Sequence, residues 1–182
     1  MGGFTDALLE GNFFGYGVAG IGDYDNDNIP DIAVSAPASA NRALYIIHLN
    51  RDGTVKDFVK NDGVLAFGMS AVGDLDRDGR IDLVACDPGS DEGGRNIGAI
   101  RILFLDSKSQ VVPAKTILIN PLSGGLGEGL VAGDEFGGRE VAMLGDLDSD
   151  GTLEMAVGAF KSDGGKGAVW ILSLNSTTFN VE

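Results

Sequence analysis

The hydrophobic positions of this 182-residue chain fall in short runs, separated by turns rich in glycine and aspartate. Three of these runs, DIAVSAP, DLVACDP and EMAVGAF, consist largely of small and β-branched residues and show no 3.6-residue period. Runs of this length and composition are typical of buried strands. The 29 glycines recur at turn positions. The pattern therefore predicts an all-β fold with many tight turns and no long helix.

The apolar runs group into three units, each with four predicted strands. The first unit has predicted strands at 17–22, 31–35, 43–49 and 54–59. The second has them at 69–73, 81–85, 98–105 and 111–118, and the third at 140–145, 153–157, 168–174 and 178–181. Four strands joined by turns form a meander, which is the blade unit of a β-propeller. The glycine-rich segment 121–138 is predicted to be a surface loop between blades, with a flexible linker between separate domains as the alternative.

Each unit carries acidic residues at a fixed spacing in the turn after its first strand. Counted from the first aspartate of each turn, acids occupy positions 1, 3, 5 and 9. The twelve candidate side-chain ligands are Asp23, Asp25, Asp27, Asp31, Asp74, Asp76, Asp78, Asp82, Asp146, Asp148, Asp150 and Glu154. Position 7 is Ile29, Arg80 or Thr152, and it is expected to offer its backbone carbonyl because two of these side chains cannot ligate a cation. Position 6 is glycine except in the first turn, where Asn28 also tolerates a left-handed conformation.

A hard divalent cation explains why so many carboxylates recur at this spacing. Ca²⁺ takes roughly six to eight oxygen ligands, and its charge offsets the repulsion between them. The alternative, that aspartate and glycine only mark solvated turns, explains the residue types but not the fixed spacing. An EF-hand is excluded because position 12, which is Val34, Ala85 or Val157, is not the required glutamate. The sequence therefore predicts three Ca²⁺ sites, since oxygen-only ligands exclude soft metals and their number disfavours magnesium.

Composition and charge exclude several classes of protein. The formal net charge is −14 and the basic residues are scattered, so a nucleic-acid-binding protein is not expected. The sequence contains no run of about eighteen apolar residues, so no membrane span is predicted. The first residues, MGGFTDALLEG, lack the features of a signal peptide. Cys86 lies in an apolar run and is expected to be a buried, inert thiol. His48 has no evident catalytic partner, and no catalytic residue is predicted.

Short motifs flank each acidic turn. Phe-Gly precedes the turns, at Phe14-Gly15, Phe67-Gly68 and Phe136-Gly137, and the segments SAP, CDP and GAF follow them. With these motifs nearly the whole chain resembles the FG-GAP repeat of the integrin α-subunit propeller. The resemblance implies blades of four antiparallel strands, with Ca²⁺ in the hairpin between the first and second strands. It divides the chain into an N-terminal segment 1–13 and blades 14–66, 67–135 and 136–182, the second of which includes the glycine-rich loop.

The number of repeats is the main departure from that family. Its propellers close with seven repeats, whereas this chain has three. Three blades leave open faces with apolar surface, which favours pairing or aggregation. The chain is therefore expected to be a fragment of a longer propeller or a homodimer that completes a ring, and closed symmetric assembly favours the homodimer.

The resemblance implies an adhesion or recognition scaffold for a protein or glycan, located outside the cell or at its surface, and not an enzyme. Ligand contacts are expected in the loops opposite the metal hairpins, including 38–42 and 88–96, although plain solvated turns would have the same composition. The alternative function is a calcium-dependent propeller, accessory or catalytic, of a polysaccharide- or lipid-degrading enzyme. A module that serves assembly alone is the third possibility.

Overall fold

The computed structural model describes residues 3–38 and 42–182. In this part of the chain eleven strands form three consecutive antiparallel sheets. Sheet 1 contains β1 (Val18–Gly22), β2 (Asp31–Ala36), β3 (Ala43–Leu49) and β4 (Val55–Asp62). Sheet 2 contains β5 (Gly68–Gly73), β6 (Asp82–Asp87), β7 (Ala99–Leu103) and β8 (Ile117–Ile119), and sheet 3 contains β9 (Phe136–Gly145), β10 (Leu153–Ala159) and β11 (Ala168–Leu174). Each sheet is a meander, so the predicted all-β fold with propeller-type blades is confirmed.

The fourth strand is shorter than predicted in sheet 2 and is reduced to one bridge in sheet 3. In sheet 2 a 3₁₀ turn at Pro113–Lys115 replaces part of the strand predicted at 111–118, because proline cannot donate to the ladder. In sheet 3 the strand predicted at 178–181 is represented only by the bridge between Leu174 and Val181. The Asn175 side chain accepts hydrogen bonds from two backbone N–H groups of this segment and holds it as a turn.

Two apolar cores join the three sheets. The first lies between sheets 1 and 2 and includes Leu44, Ile46, Leu83 and Leu103. The second lies between sheets 2 and 3 and includes the fully buried Ile100, Ile102, Val157 and Met155. The three units therefore form one packed stack of sheets.

The Phe-Gly motifs lie where neighbouring sheets approach each other. Phe136 is fully buried and its ring meets that of Trp170 edge to face, with 6.2 Å between centroids. A Cβ atom on Gly68 would lie 1.4 Å from the carbonyl oxygen of Arg139, so only glycine allows β5 to approach β9 this closely. At these positions the motif supports packing between sheets.

The glycine-rich segment between sheets 2 and 3 contains no strand before Phe136, but it does not lie wholly on the surface. Leu126 and Leu130 are buried in the core that sheets 2 and 3 share. This burial excludes the alternative of a flexible linker between separate domains. Of the predicted ligand loops, 88–96 is described, whereas 39–41 of the loop 38–42 lie outside the described residues.

The N-terminal segment covers the outer face of sheet 1, the face turned away from sheet 2. The ring of Phe4 lies 5.0 Å from that of Phe14, 5.7 Å from that of Tyr45 and 4.8 Å from that of Phe58, measured between centroids. These rings pack against a buried cluster on this face that includes Val34. One end of the stack is thus closed by aromatic side chains of the chain itself.

Two further sequence predictions concern Cys86 and membrane spans. Cys86 is fully buried, and its burial raises the pKa of the thiol to about 12, as expected for an inert cysteine. Within 3–38 and 42–182, no helix combines the length and apolar character needed to cross a membrane.

Replacing Phe4 tests the aromatic closure of sheet 1. Because Phe4 is partly buried among three rings, Phe4→Ala is expected to lower the free energy of unfolding by about 1–3 kcal/mol, less than the loss of a fully buried phenylalanine would. The measurement is urea denaturation followed by circular dichroism. The matched control is Phe13→Ala, whose side chain is 62% exposed and whose loss should cost less than about 0.5 kcal/mol. Equal effects of the two variants would contradict the closure.

Candidate metal centres

Each acidic turn closes the hairpin between the first and second strands of its sheet. The glycine before each turn pairs across the hairpin with the acid at position 9. The three pairs are Gly22 with Asp31, Gly73 with Asp82, and Gly145 with Glu154. This pairing brings position 9, at the start of the second strand, back beside position 1, and it explains the length of the acidic spacing.

The three turns share one set of hydrogen bonds between their acids and their backbone. The acid at position 1 accepts from the N–H groups of positions 5 and 6. Asp74 accepts from Asp78 at 2.9 Å and from Gly79 at 2.8 Å, and the equivalent bonds in the other turns measure 2.8–3.1 Å. In all three turns position 5 accepts from the N–H of position 7, and position 9 accepts from that of position 2. Each acid at positions 1, 5 and 9 thus accepts at least one hydrogen bond from the backbone of its own turn, as in other turns closed by aspartate.

Left-handed backbone recurs at two positions of each turn. Position 6 has φ of 66° at Asn28, 89° at Gly79 and 91° at Gly151. The asparagine therefore replaces glycine in the predicted conformation. Position 4 is left-handed as well, and sequence reasoning missed it because arginine and serine give no signal for this conformation there. The residues concerned are Asn26, Arg77 and Ser149, with φ of 63°, 60° and 66°.

The structure brings most of the predicted acidic ligands together. In the first two turns carboxylate oxygens of positions 1, 3 and 5 lie within 4.8 Å of one another, and in the third turn those of positions 1, 3 and 9 do. The groups are Asp23, Asp25 and Asp27; Asp74, Asp76 and Asp78; and Asp146, Asp148 and Glu154. Asp82 and Asp150 lie outside the group of their own turn, whereas Asp31 forms a second group at the first turn with Asp25 and His48. The carbonyl groups of Ile29, Arg80 and Thr152 remain predicted ligands.

The acid at position 3 accepts a backbone hydrogen bond in the third turn only, where the N–H group of Asp150 lies 3.2 Å from Asp148 Oδ1. Asp25 and Asp76 each have a buried Oδ1 atom without a hydrogen-bond partner among the described residues, and so does Asp82 at position 9 of the second turn. Asp82 is only 1% exposed, and burial raises the pKa of its carboxyl to about 7. A buried carboxylate oxygen without a donor is costly. A cation bound at the turn would offset this cost.

Two lysines provide positive charge beside the first and second turns. The Lys56 ammonium on β4 lies 2.6 Å from Asp25 Oδ2 and also contacts Asp27. These contacts raise the pKa of Lys56, and the hydrogen bond from Lys56 lowers the pKa of Asp27. The Lys115 ammonium lies 2.5 Å from Asp76 Oδ2. Sequence reasoning missed both lysines because they are about 30–40 residues from these acids, on the fourth strand of sheet 1 and in the 3₁₀ turn.

His48 links the first turn to the neighbouring sheet. It is buried on β3, with Nδ1 3.2 Å from Asp31 Oδ2 and 3.8 Å from Asp25 Oδ2. Its Nε2 lies 3.2 Å from the Ser109 hydroxyl in the segment between β7 and β8 of sheet 2. The Tyr24 hydroxyl at position 2 of the same turn donates to the carbonyl of Asp106. Contacts with His48 of sheet 1 and with the segment between β7 and β8 of sheet 2 therefore hold the first turn in place.

In the third turn, hydroxyl groups contact the acids, whereas in each of the other two turns a lysine does. Glu154 accepts from Leu147 N–H through Oε2, and its Oε1 lies 2.9 Å from the Ser173 hydroxyl and 3.1 Å from that of Thr152. The bond from Leu147 is the main cause that lowers the pKa of Glu154. The longer glutamate side chain lets position 9 reach both the backbone and the group of acids.

The side chains grouped at the three turns are carboxylates, with the exception of His48, which joins Asp25 and Asp31 at the first turn. Carboxylate oxygens at this density suit a hard divalent cation such as Ca²⁺. The unpartnered oxygens of the first two turns provide lone pairs that such an ion would use. The three hairpins thus have the donor chemistry of calcium sites.

Comparison with known proteins agrees with the repeat pattern. Residues 23–85 match the FG-GAP-like repeat family. The chain is 30% identical over 173 residues to integrin alpha pat-2 of Caenorhabditis elegans, a match that covers 88% of this chain and 14% of that protein. It is 28% identical over 173 residues to integrin alpha-5 of Xenopus laevis, a match that covers 89% of this chain and 15% of that protein. It is also 29% identical over 174 residues to integrin alpha-PS2 of Drosophila melanogaster, which covers 91% of this chain and 12% of that protein. The chain therefore spans about one seventh of the length of these relatives.

Proposed function

We propose that this chain is a calcium-binding, integrin-like recognition module, because residues 23–85 match the FG-GAP-like repeat family and the chain is similar to integrin α subunits over most of its length. The observation that carries the calcium proposal is the recurring carboxylate group in each hairpin, with buried position-3 oxygens that no donor satisfies in two of them. The ion would be held by the predicted ligands of each turn. Bound there, it would supply positive charge that ties the first strand of each sheet to the second.

The proposed role of the ion is structural. A ligand that binds only the folded protein raises the free energy of unfolding. Well above the dissociation constant, this gain grows with the logarithm of the ligand concentration. Extracellular modules commonly bind calcium with dissociation constants of roughly 10⁻⁴–10⁻³ M. This range suits the proposed location outside the cell or at its surface. Neither the matched repeat nor the named relatives belong to a catalytic family, and no catalytic role is proposed for the acids.

The proposed ligand is a protein or glycan that binds at the end of the sheets opposite the metal hairpins. A cavity of about 240 Å³ lies there, at the start of the innermost strands, and its lining includes Tyr16, Phe67, Pro88 and Phe160. Aromatic rings and an ordered loop suit contacts with either class of ligand. Pro88 belongs to the predicted ligand loop 88–96, which is linked by backbone hydrogen bonds to the segment that precedes β9. We also propose that the chain pairs with a second copy of itself.

Thermal unfolding with and without calcium tests the metal sites. Free calcium at about 100 times the dissociation constant should add about 2.7 kcal/mol per site to the free energy of unfolding. For a chain of this size, that gain corresponds to a rise in Tm of about 5–10 °C for each occupied site. Asp76→Asn should reduce this rise, because Asp76 has the unpartnered oxygen of the second turn. The control is Asp62→Asn, an exposed aspartate on β4 outside the turns. An identical Tm in calcium and in excess chelator would contradict the proposal.

Replacing Lys56 tests whether its ammonium competes with calcium at the first turn. Lys56→Gln removes a positive charge that contacts two proposed ligands, so calcium affinity at this turn is expected to rise about threefold to tenfold. Calcium titration followed by calorimetry measures the change. The control is Lys60→Gln on the same strand, whose ammonium pairs with Asp62 and Asp6 away from the turn. A lower affinity in Lys56→Gln, or the same rise in both variants, would show that Lys56 does not compete with the ion.

A further inference from the structure

The acid at position 9 of each turn lies opposite one residue of the third strand, and that residue differs between the three sheets. Strand register, continued by one residue in sheets 1 and 2, gives three equivalent pairs: Asp31 with His48, Asp82 with Phe104, and Glu154 with Ser173. The third strand therefore provides an imidazole in sheet 1, a phenyl ring in sheet 2 and a hydroxyl group in sheet 3.

The three partners give the position-9 acids different contacts. The Ser173 hydroxyl donates to Glu154 at 2.9 Å, whereas Asp82 faces a phenyl ring and its Oδ1 has no hydrogen-bond partner among the described residues. In the first turn the contact is with the Nδ1 atom of His48. His48 is the one histidine of the chain, so the first turn alone combines carboxylates with an imidazole nitrogen.

The spacing of Asp25, Asp31 and His48 suits a small divalent cation. One ligand atom of each residue lies within 4.8 Å of the other two. His48 Nδ1 lies 3.2 Å from Asp31 Oδ2 and 3.8 Å from Asp25 Oδ2. Nitrogen and oxygen atoms that bind a tetrahedral Zn²⁺ at about 2.0–2.2 Å lie roughly 3.3–3.5 Å from each other. The two measured distances lie on either side of this separation.

The surroundings of the imidazole also suit a metal ligand. His48 is only 6% exposed, and its Nε2 lies 3.2 Å from the Ser109 hydroxyl. A serine hydroxyl can accept a hydrogen bond as well as donate one. When Nδ1 binds an ion, Nε2 therefore holds the ring proton and donates it to Ser109. Histidines that bind metals commonly donate their second N–H group to such a partner, which fixes the orientation of the ring.

The two carboxylates of the group are held in different ways. Asp31 is fully buried, and it accepts hydrogen bonds from the N–H groups of Tyr24 and Leu49, which fix its position. Asp25 contacts Lys56 through Oδ2, but its buried Oδ1 has no donor among the described residues. A cation in this group would give that oxygen a positive partner. The Asp25 side chain is 23% exposed, so a water molecule can complete the coordination, as in zinc sites with three protein ligands.

We propose that the first turn binds a transition-metal cation of the Zn²⁺ type through Asp25, Asp31 and His48. Imidazole nitrogen suits such ions, whereas Ca²⁺ prefers oxygen ligands. Both aspartates are also predicted calcium ligands, so zinc is expected to displace calcium from this turn and from neither of the others. His48 is thus the residue that sets the ion preference of the first turn. The zinc site does not depend on the proposed calcium function, because its ligands include the imidazole.

The single histidine allows a direct test by long-range proton–nitrogen correlation NMR, since every imidazole signal belongs to His48. Zinc chloride is added to the full chain in the presence of calcium. One equivalent of Zn²⁺ is expected to move the Nδ1 resonance to that of a metal-bound nitrogen, while Nε2 stays protonated. Calcium alone should not produce this change. An unchanged Nδ1 signal in excess zinc, or binding through Nε2, would overturn the proposal.

Two variants of His48 measure its share of the zinc affinity by calorimetry. His48→Phe introduces the residue type of sheet 2, and His48→Asn keeps an N–H donor for Asp31. Each should weaken zinc binding about 100-fold or more, since even the loss of an outer partner costs roughly tenfold to 100-fold. The control is Asp57→Asn, an exposed residue that pairs with His48 on β4 outside the group and should leave zinc affinity unchanged. Unchanged affinity in both His48 variants, or an equal loss in the control, would overturn the proposal. Zinc binding without any calcium binding would support this site and contradict the proposed calcium function.

Discussion

Electrostatic repulsion within the three hairpin turns is the constraint on which the rest of this structure depends. Neighbouring carboxylates repel by about 1 kcal/mol per pair in water and by about 4 kcal/mol at an effective dielectric near 20. Each turn holds four acids, and it lies between the first two strands of its sheet. Hydrogen bonds to the backbone N–H groups satisfy most of their oxygens. At position 3, Asp25 and Asp76 each keep one buried oxygen without a donor among the described residues, and their other oxygen contacts a lysine, whereas Asp148 accepts from the N–H group of Asp150.

The turns matter beyond their own hairpins because they also contact neighbouring sheets. His48 and Tyr24 join the first turn to the segment 106–110, which connects β7 and β8 of sheet 2. Leu75 of the second turn is buried in the core that sheets 2 and 3 share. A change in charge at a turn therefore reaches the packing between sheets as well as the strands of one sheet. Leu147 of the third turn occupies the equivalent position, where it is 61% exposed.

The sequence predicted the local features of the fold and of the site well. Strands, hairpins and the acidic spacing depend on residues within about ten positions of each other, so the pattern around Asp74 was sufficient to place them. Long-range partners were not predictable in this way. Lys56, Lys115 and the contact between His48 and Ser109 join residues that are far apart in the chain. The burial of Leu126 within a glycine-rich segment likewise depends on the sheets on either side of it.

The most direct test of the account is isothermal titration calorimetry of calcium into protein freed of metal by a chelator. The account predicts a saturable heat signal with three ions bound per chain, one for each hairpin turn. A folded protein that gives no heat beyond dilution would contradict it.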